Sequence, residues 1–394
     1  MKRLTFTVLA TLALLHAAAP FATDMYLPAF PQMVRDLQTS PAGVQFSLTA
    51  FMLGAAVGQF VFGPISDRVG RMKPLLIGGF VYVLSGIAAM LAPSLGVLIA
   101  ARLIQGATGA AGMVICRAII TDMASGREAA RAMSLMMLIG GVAPVVAPVA
   151  GSLLADPLGW RGIMGVVVGL SALALICSVV FLRESHPAEK RNQAGTDREA
   201  LRPLLGRKFA GNALAYAFSF AVMMAYISAS PFLYQELMGM GTIQYGLLFG
   251  LNATLLAVVG AVSAKLTNRL GPVLLARIGL FTNLAAAAAI AGLVAVNAPA
   301  VWLCLPIMVA VASLGFVFGN TTALALEQVP RASGTGSAVI GVLQFTLAAI
   351  VAPLVGINST AVPMAVVMLA ASVLACASFL AAGQREPELV AAKA

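Results

Sequence analysis

The sequence predicts an all-α membrane protein of twelve spanning helices arranged as two six-helix halves. Three observations lead there. The 394 residues are 60% hydrophobic and only 10% charged, with a mean hydropathy of +0.97, whereas a soluble domain carries about a quarter charged residues to cover its wet surface. Apolar runs of about 20 residues, the length that crosses a bilayer, recur along the whole chain. Short stretches of the first half then return at matching places in the second.

The apolar runs place spans near 6–28, 43–62, 74–93, 96–117, 132–154 and 162–182, then 210–234, 244–265, 274–296, 299–322, 337–357 and 360–382. Lys2, Arg3 and the small-residue pattern HAAAP in the first run would also suit a secretory signal. That apolar stretch continues well beyond the pattern, and its removal would leave eleven spans, so the first span is expected to stay. The stretch 183–208 is polar, charged and without apolar periodicity. It reads as a linker, giving a first bundle at 1–183, a linker at 184–209 and a second bundle at 210–394.

The net charge of +10 does not mark a nucleic-acid surface, because no basic stripe is interleaved with aromatics. Twenty-one of the 24 lysines and arginines fall in loops on the side of the N-terminus. Two, Arg35 and Arg161, fall opposite, and Arg102 lies inside a span. That asymmetry puts both termini and the linker on the cytoplasmic side. Cys116, Cys177, Cys304 and Cys376 stand singly in apolar runs, with neither a disulfide framework nor a metal spacing. No metal site and no cofactor are expected.

The halves echo each other. GPISDRVGRMK (63–73) returns as AKLTNRLGPVL (264–274), and APVAG (147–151) as APLVG (352–356). Two six-helix repeats related by an axis along the membrane normal are a transporter architecture, with the cargo site between them near the midplane.

Asp24 and Arg102 are the two charges clearly inside spans. Each lies six residues in from the same face, Asp24 before Phe30 and Arg102 after Gly96, so both are about 9 Å deep. Opposite charges at equal depth can pair, and an unpaired charge among apolar groups is costly. A pair that only fixes packing is the plain alternative, although apolar residues often pack as well. An ionisable group within the membrane is a functional candidate by default. Desolvation raises a carboxylate's pKa and a guanidinium lowers it, so a carboxylate held between the two can take up a proton on one side and release it on the other. Asp24 is expected to couple cargo to protons, with Arg102 as its partner, a cargo contact, or both. Gln105, one turn on, can line the cavity or orient the guanidinium. Gly106, Gly109 and Gly112 read as close helix packing.

In GPISDRVGRMK a helix end meets one acid and three cations. These set orientation, and Asp67 can also pair with arginines or cap the following helix. Gly63, Asp67, Arg68, Gly70 and Arg71 would then form a conformational latch. The fifth span, GGVAPVVAPVAG (140–151), sets Pro144 and Pro148 among Gly140, Gly141 and Gly151. In a membrane, neighbours satisfy the carbonyls that prolines free, so a kinked, close-packing helix that can seal or hinge is expected. For the cargo cavity the candidates are Tyr26, Gln105, Phe220, Met224, Asn252, Asn320 and Gln344. Met and aromatic stripes are more often core, but adaptable sulfur-rich surfaces suit varied apolar ligands.

These motifs resemble the major facilitator superfamily over essentially the whole chain: GPISDRVGRMK its loop signature, RLIQGATGAAG its fourth-helix signature, and GGVAPVVAPVAG its antiporter signature. TDMYLPAFPQM, FMLGAAVGQFVFGPISDRVGR and FSFAVMMAYISASPFLY resemble the bicyclomycin and chloramphenicol resistance group of drug:proton antiporters. The resemblance implies export of drug-like small molecules across a bacterial inner membrane in exchange for protons. A lipid-embedded monomer is expected. It implies Asp24 as the coupling carboxylate, Arg102 as its partner, and Asp67, Arg68 and Arg71 as the latch. In the second half Asn268 replaces the acid and Pro272 a cation, so no second latch is expected there.

An uptake permease for a sugar or organic acid, or an exporter of a natural metabolite, is the alternative. Importers of strongly polar solutes usually need several polar cavity groups, and this chain shows few charged ones. An enzyme is not indicated: His16 and His186 are the only histidines, and HExxH, GxSxG, P-loop and GxGxxG patterns are absent.

Overall fold

The computed structural model describes residues 5–124, 126–187, 202–330, 333–358 and 360–383; most of the linker lies outside them. Among the described residues the chain is helical and contains no strand. The helices of the first half are α1 (Phe6–Asp24), the short α2 (Phe30–Asp36), α3 (Pro41–Val69), α4 (Met72–Met90), α5 (Leu95–Met123) and α6 (Gly126–Phe181). Those of the second are α7 (Arg207–Phe232), α8 (Thr242–Leu270), α9 (Pro272–Ala295), α10 (Cys304–Leu326), α11 (Ser333–Leu354) and α12 (Val362–Ala381).

Eleven stretches of the described residues are long and apolar enough to cross a membrane. One, Val142–Phe181, belongs to α6, whose 56 residues would reach roughly 84 Å against a hydrocarbon core of about 30 Å. Gly159 breaks that helix at φ +64°, a left-handed backbone that glycine adopts without a Cβ clash. The fifth and sixth spans are therefore separate, which makes twelve.

Local chemistry starts and stops these helices. Ser40 caps α3 by accepting from the Gly43 amide at 3.1 Å, and Ser94 caps α5 through Val97. Gly70 and Gly271, equivalent positions of the echoed loop, end α3 and α8 with φ of +97° and +75°. α5 runs past its expected end at 117 to Met123, which brings Arg117 into the helix.

The contacts divide the chain into two compact units. The first comprises Met1–Thr196 with Ser228–Leu251 and Gly356–Ser359; the second comprises Asp197–Ile227, Asn252–Val355 and Thr360–Ala394. Within the first unit, the Gln45 amide donates to the Ser228 carbonyl at 2.9 Å and Gln235 donates to that of Pro28 at 2.9 Å. Phe30 and Phe232 face each other with ring centres 6.2 Å apart. In the second unit Asn283 of α9 donates to the Ala310 carbonyl and accepts from Ser372, each at 2.8 Å, tying α9 to α10 and α12.

α3 and α5 pack backbone to backbone. A Cβ on Gly54 would overlap the Leu103 carbonyl, one on Gly58 the Ala107 carbonyl, and one on Gly106 the Phe51 carbonyl. Without a hydrophobic drive between helices in lipid, such close approach is what holds them. Gly106→Val is therefore expected to cost about 1–3 kcal/mol, read as a lower unfolding temperature in detergent. Gly96→Val, with no atom within 4 Å of its added Cβ, should leave that temperature unchanged.

Candidate functional site

Pro28 and Pro31 follow closely on α1, and the chain turns into a short 3₁₀ segment, Leu27–Ala29. The last carbonyls of α1 are left without helical partners at this turn. Asp24 closes the helix and is 6% exposed. Thr23 beside it donates to the carbonyls of Ala19 and Pro20 at 3.2 and 3.1 Å.

Arg102 of α5 is fully buried. Its Nη1 donates to Gln105 Oε1 at 2.7 Å, and its Nη2 to the Ala22 carbonyl at 2.9 Å and the Tyr26 hydroxyl at 3.4 Å. The guanidinium also lies over two rings, 4.8 Å from the centre of Tyr26 and 4.4 Å from that of Phe51. Tyr26 is itself held by Ser47 at 3.1 Å. The sequence brings Asp24 and Arg102 to one depth, but no ion pair joins them: the guanidinium is occupied by neutral oxygens and aromatic faces, and its Nε has no partner among the described residues. Gln105 and Tyr26 converge on Arg102; helical spacing had set Gln105 beside the guanidinium, whereas Tyr26 was expected only as a cargo contact. Ser47 and Phe51 were not foreseen, since a lone serine and phenylalanine in an apolar helix carry no signal.

The loop after α3 forms a second cluster. Buried Arg71 pairs with Asp67 through Nη1 and with Asp122 of α5 at 2.9 Å. Burial opposes its charge, yet hydrogen bonds to Asp122 and Asp67 outweigh that and hold the guanidinium pKa above its usual value. Asp67 does not cap the following helix; Glu184, just past α6, does. Its carboxylate accepts from the Arg71 amide at 2.8 Å and the Met72 amide at 3.2 Å, placing negative charge on the N-terminus of α4. Arg68 is exposed, and Gly63 faces Val114 at ordinary contact distance. Asp122 and Glu184 were invisible in the sequence because their partners lie 51 and 113 residues away.

In α6, Pro144 and Pro148 lie inside the helix, and Ser152 donates to the Pro148 carbonyl at 2.8 Å. Gly151 has no room for a Cβ against the Met25 carbonyl, so this helix abuts the residue after Asp24. The surroundings of Gly140 and Gly141 lie outside the described residues.

The second unit holds neutral polar groups. Buried Asn252 donates to the Tyr226 hydroxyl at 2.8 Å. Asn320 bonds Ser263, Thr267 and the Phe316 carbonyl, which spends it on joining α8 to α10. Phe220 sits among Tyr216, Phe318 and Phe345 with ring centres 6.0–6.5 Å away. Met224 is buried and Gln344 half-buried. A cleft of about 400 Å³ opens elsewhere, in the first unit, lined by Gln32, Arg35, Asp156, Gln235, Glu236 and Thr242 among others; none of the expected cargo residues borders it.

The profile of the Major Facilitator Superfamily matches residues 12–353. The chain is 37% identical to the uncharacterized MFS-type transporter YdgK of Bacillus subtilis, covering 93% of each protein. It is 30% identical to the bicyclomycin resistance protein homolog of Haemophilus influenzae, covering 96% of each. Among solved structures it resembles the nucleoside transporter NupG with a TM-score of 0.74 and 13% identity, over 96% of this chain and 99% of that one. A bacterial homolog of the lysosomal transporter Spinster matches with a TM-score of 0.70 and 16% identity, over 96% of each chain. These relatives are transporters, not enzymes.

Removing the Glu184 carboxylate strips α4 of its amide acceptor. Glu184→Ala is expected to cost about 1 kcal/mol, measured as a lower unfolding temperature, while Arg68→Ala at the exposed neighbouring position leaves it unchanged.

Proposed function

The chain belongs to the major facilitator superfamily, and on that footing we propose that it exports drug-like amphipathic molecules in exchange for protons by alternating access. The observation that carries the proposal is a buried carboxylate, Asp24, with no ion pair among the described residues, two residues after the Ala22 carbonyl that a buried guanidinium binds. A carboxylate so placed can exist charged or neutral, and the choice can be tied to which side of the membrane it meets. When the proton leaves, Arg102 is the cation that the carboxylate can engage, at the expense of its bonds to Ala22 and Tyr26. When the proton returns, the guanidinium goes back to those oxygens. Gly151 against Met25 lets the α6 backbone report that change.

Sites and topology complete the proposal. Tyr26 and Gln105, with Phe220, Met224, Asn252 and Gln344 of the second half, contact cargo; Asn320 braces α8 on α10. Asp67, Arg68, Gly70 and Arg71 act as the latch, with Asp122 and Glu184 as its anchors. The protein is a monomer of two bundles, 1–183 and 210–394, joined by 184–209, in a bacterial inner membrane with both termini cytoplasmic. A relative named for bicyclomycin resistance, and another named multidrug resistance protein MdtL at 28% identity over 59% of this chain, support the drug class. The sparse charge of the second unit's polar groups suits amphipathic rather than strongly polar cargo. The drive is sufficient, at about 2.3 kcal/mol per charge per 100 mV plus about 1.4 kcal/mol per pH unit.

Chloramphenicol accumulation in inside-out vesicles, with and without an imposed pH gradient, tests this. The native protein is expected to accumulate the drug only with the gradient, and Asp24→Asn to lose that accumulation. Accumulation that survives in Asp24→Asn removes Asp24 from the coupling. A native protein that moves chloramphenicol only down its own gradient is not an antiporter for it.

A further inference from the structure

α1 carries a second titratable side chain that the scheme above leaves idle. His16 is 8% exposed, and its Nδ1 has no hydrogen-bond partner among the described residues. His16, Pro20 and Asp24 stand at i, i+4 and i+8 on α1, so they share one stripe of the helix. Pro20 has no N–H for the carbonyl of His16. The helical bond that would close between the two titratable positions is therefore missing, which leaves a polar backbone atom for water to use. The axial rise from His16 to Asp24 is about 12 Å, too far for direct transfer and within reach of a short water chain.

The neighbours of His16 are sparse in charge. α5 brings Arg117, whose positive charge acts on the imidazole, and Cys116 in the adjoining core. α4 brings Tyr82, whose hydroxyl donates to the Ala18 carbonyl at 3.1 Å. The described side chains of α6 contribute Arg131, Asp156, Arg161 and Cys177 among charged and titratable groups. Beyond Arg117 on α5 comes Asp122, the anchor of the Arg71 cluster.

We propose that His16 is a second proton station on α1, passing the proton from Asp24 toward the cytoplasm; this rests on the antiport reading of Asp24. The protonated Asp24 carboxyl gives its proton through bridging water to the free ring nitrogen, leaving a carboxylate and an imidazolium. The imidazolium then gives a proton to cytoplasmic water and returns to neutral imidazole. One proton crosses and nothing is oxidised or reduced. Arg117 repels the imidazolium, so the station empties instead of trapping its proton.

With only two histidines in the chain, ring-¹⁵N histidine spectra of the purified protein resolve His16 once His186→Gln has assigned the other signal. His16 is expected to take up a proton as the pH is lowered across the range in which the protein stays folded, with a midpoint that shifts in Asp24→Asn. A His16 signal that stays neutral throughout, or moves identically in both proteins, overturns the proposal whether or not any drug is carried. In vesicles, His16→Gln should lose proton-driven chloramphenicol accumulation by roughly a hundredfold, the low end for a positioned proton-transfer group, while drug-for-drug counterflow at equal pH is unchanged. Equal loss in both modes, or in neither, assigns His16 to packing and overturns the relay. Proton-driven accumulation surviving in Asp24→Asn fails the antiport reading of Asp24 instead, and the spectra then decide His16 by themselves.

Discussion

The end of α1 is held by a buried positive charge, and much of the first unit follows from how that charge is kept. A guanidinium out of water needs oxygen acceptors or another charge close by. Arg102 finds a carbonyl at Ala22, which is available because two prolines stop α1 before its last-turn carbonyls acquire partners. The C-terminal end of a helix carries partial negative charge, so the contact is favourable beyond its single hydrogen bond. The same contact fixes where Asp24 stands. It also leaves the carboxylate without an ion pair among the described residues, because the guanidinium's bonds go to neutral groups.

That arrangement depends on glycine. Gly106 and Gly54 bring α5 against α3 closely enough for the Phe51 ring to lie over the guanidinium, a contact worth more out of water than in it. Gly151 brings α6 against Met25 in the same way. Larger residues at these points would separate the helices and remove the aromatic and carbonyl groups that hold Arg102. The small residues of the fourth and fifth spans thus serve the charge as well as the packing.

The two units divide the chemistry. The first contains the buried charges and the Arg71 cluster, where Glu184 and Asp122 anchor the loop between α3 and α4. The second joins its helices with amides and hydroxyls, as at Asn283 with Ser372 and Asn320 with Ser263. The loop echo shows how this came about at one point: Gly271 keeps the left-handed turn of Gly70, while Asn268 and Pro272 stand where the first loop has an acid and a cation. The backbone device was retained without its electrostatics.

Spans and their number were legible in the sequence, because a bilayer demands about 20 apolar residues per crossing and punishes stray charge. The same penalty singled out Asp24 and Arg102, and helical spacing put Gln105 beside the arginine. What the guanidinium would bind was a tertiary matter. Equal depth made pairing with Asp24 plausible, but the choice among a carboxylate, a carbonyl and two rings turns on where α1 stops and how closely α3 approaches. Likewise the loop motif announced charges without naming their partners: Asp67 looked able to cap α4, and Glu184, 113 residues from Arg71, does so. Periodicity and composition are local and survive in the sequence; a hydrogen bond across 80 or 113 residues exists only once the helices are side by side.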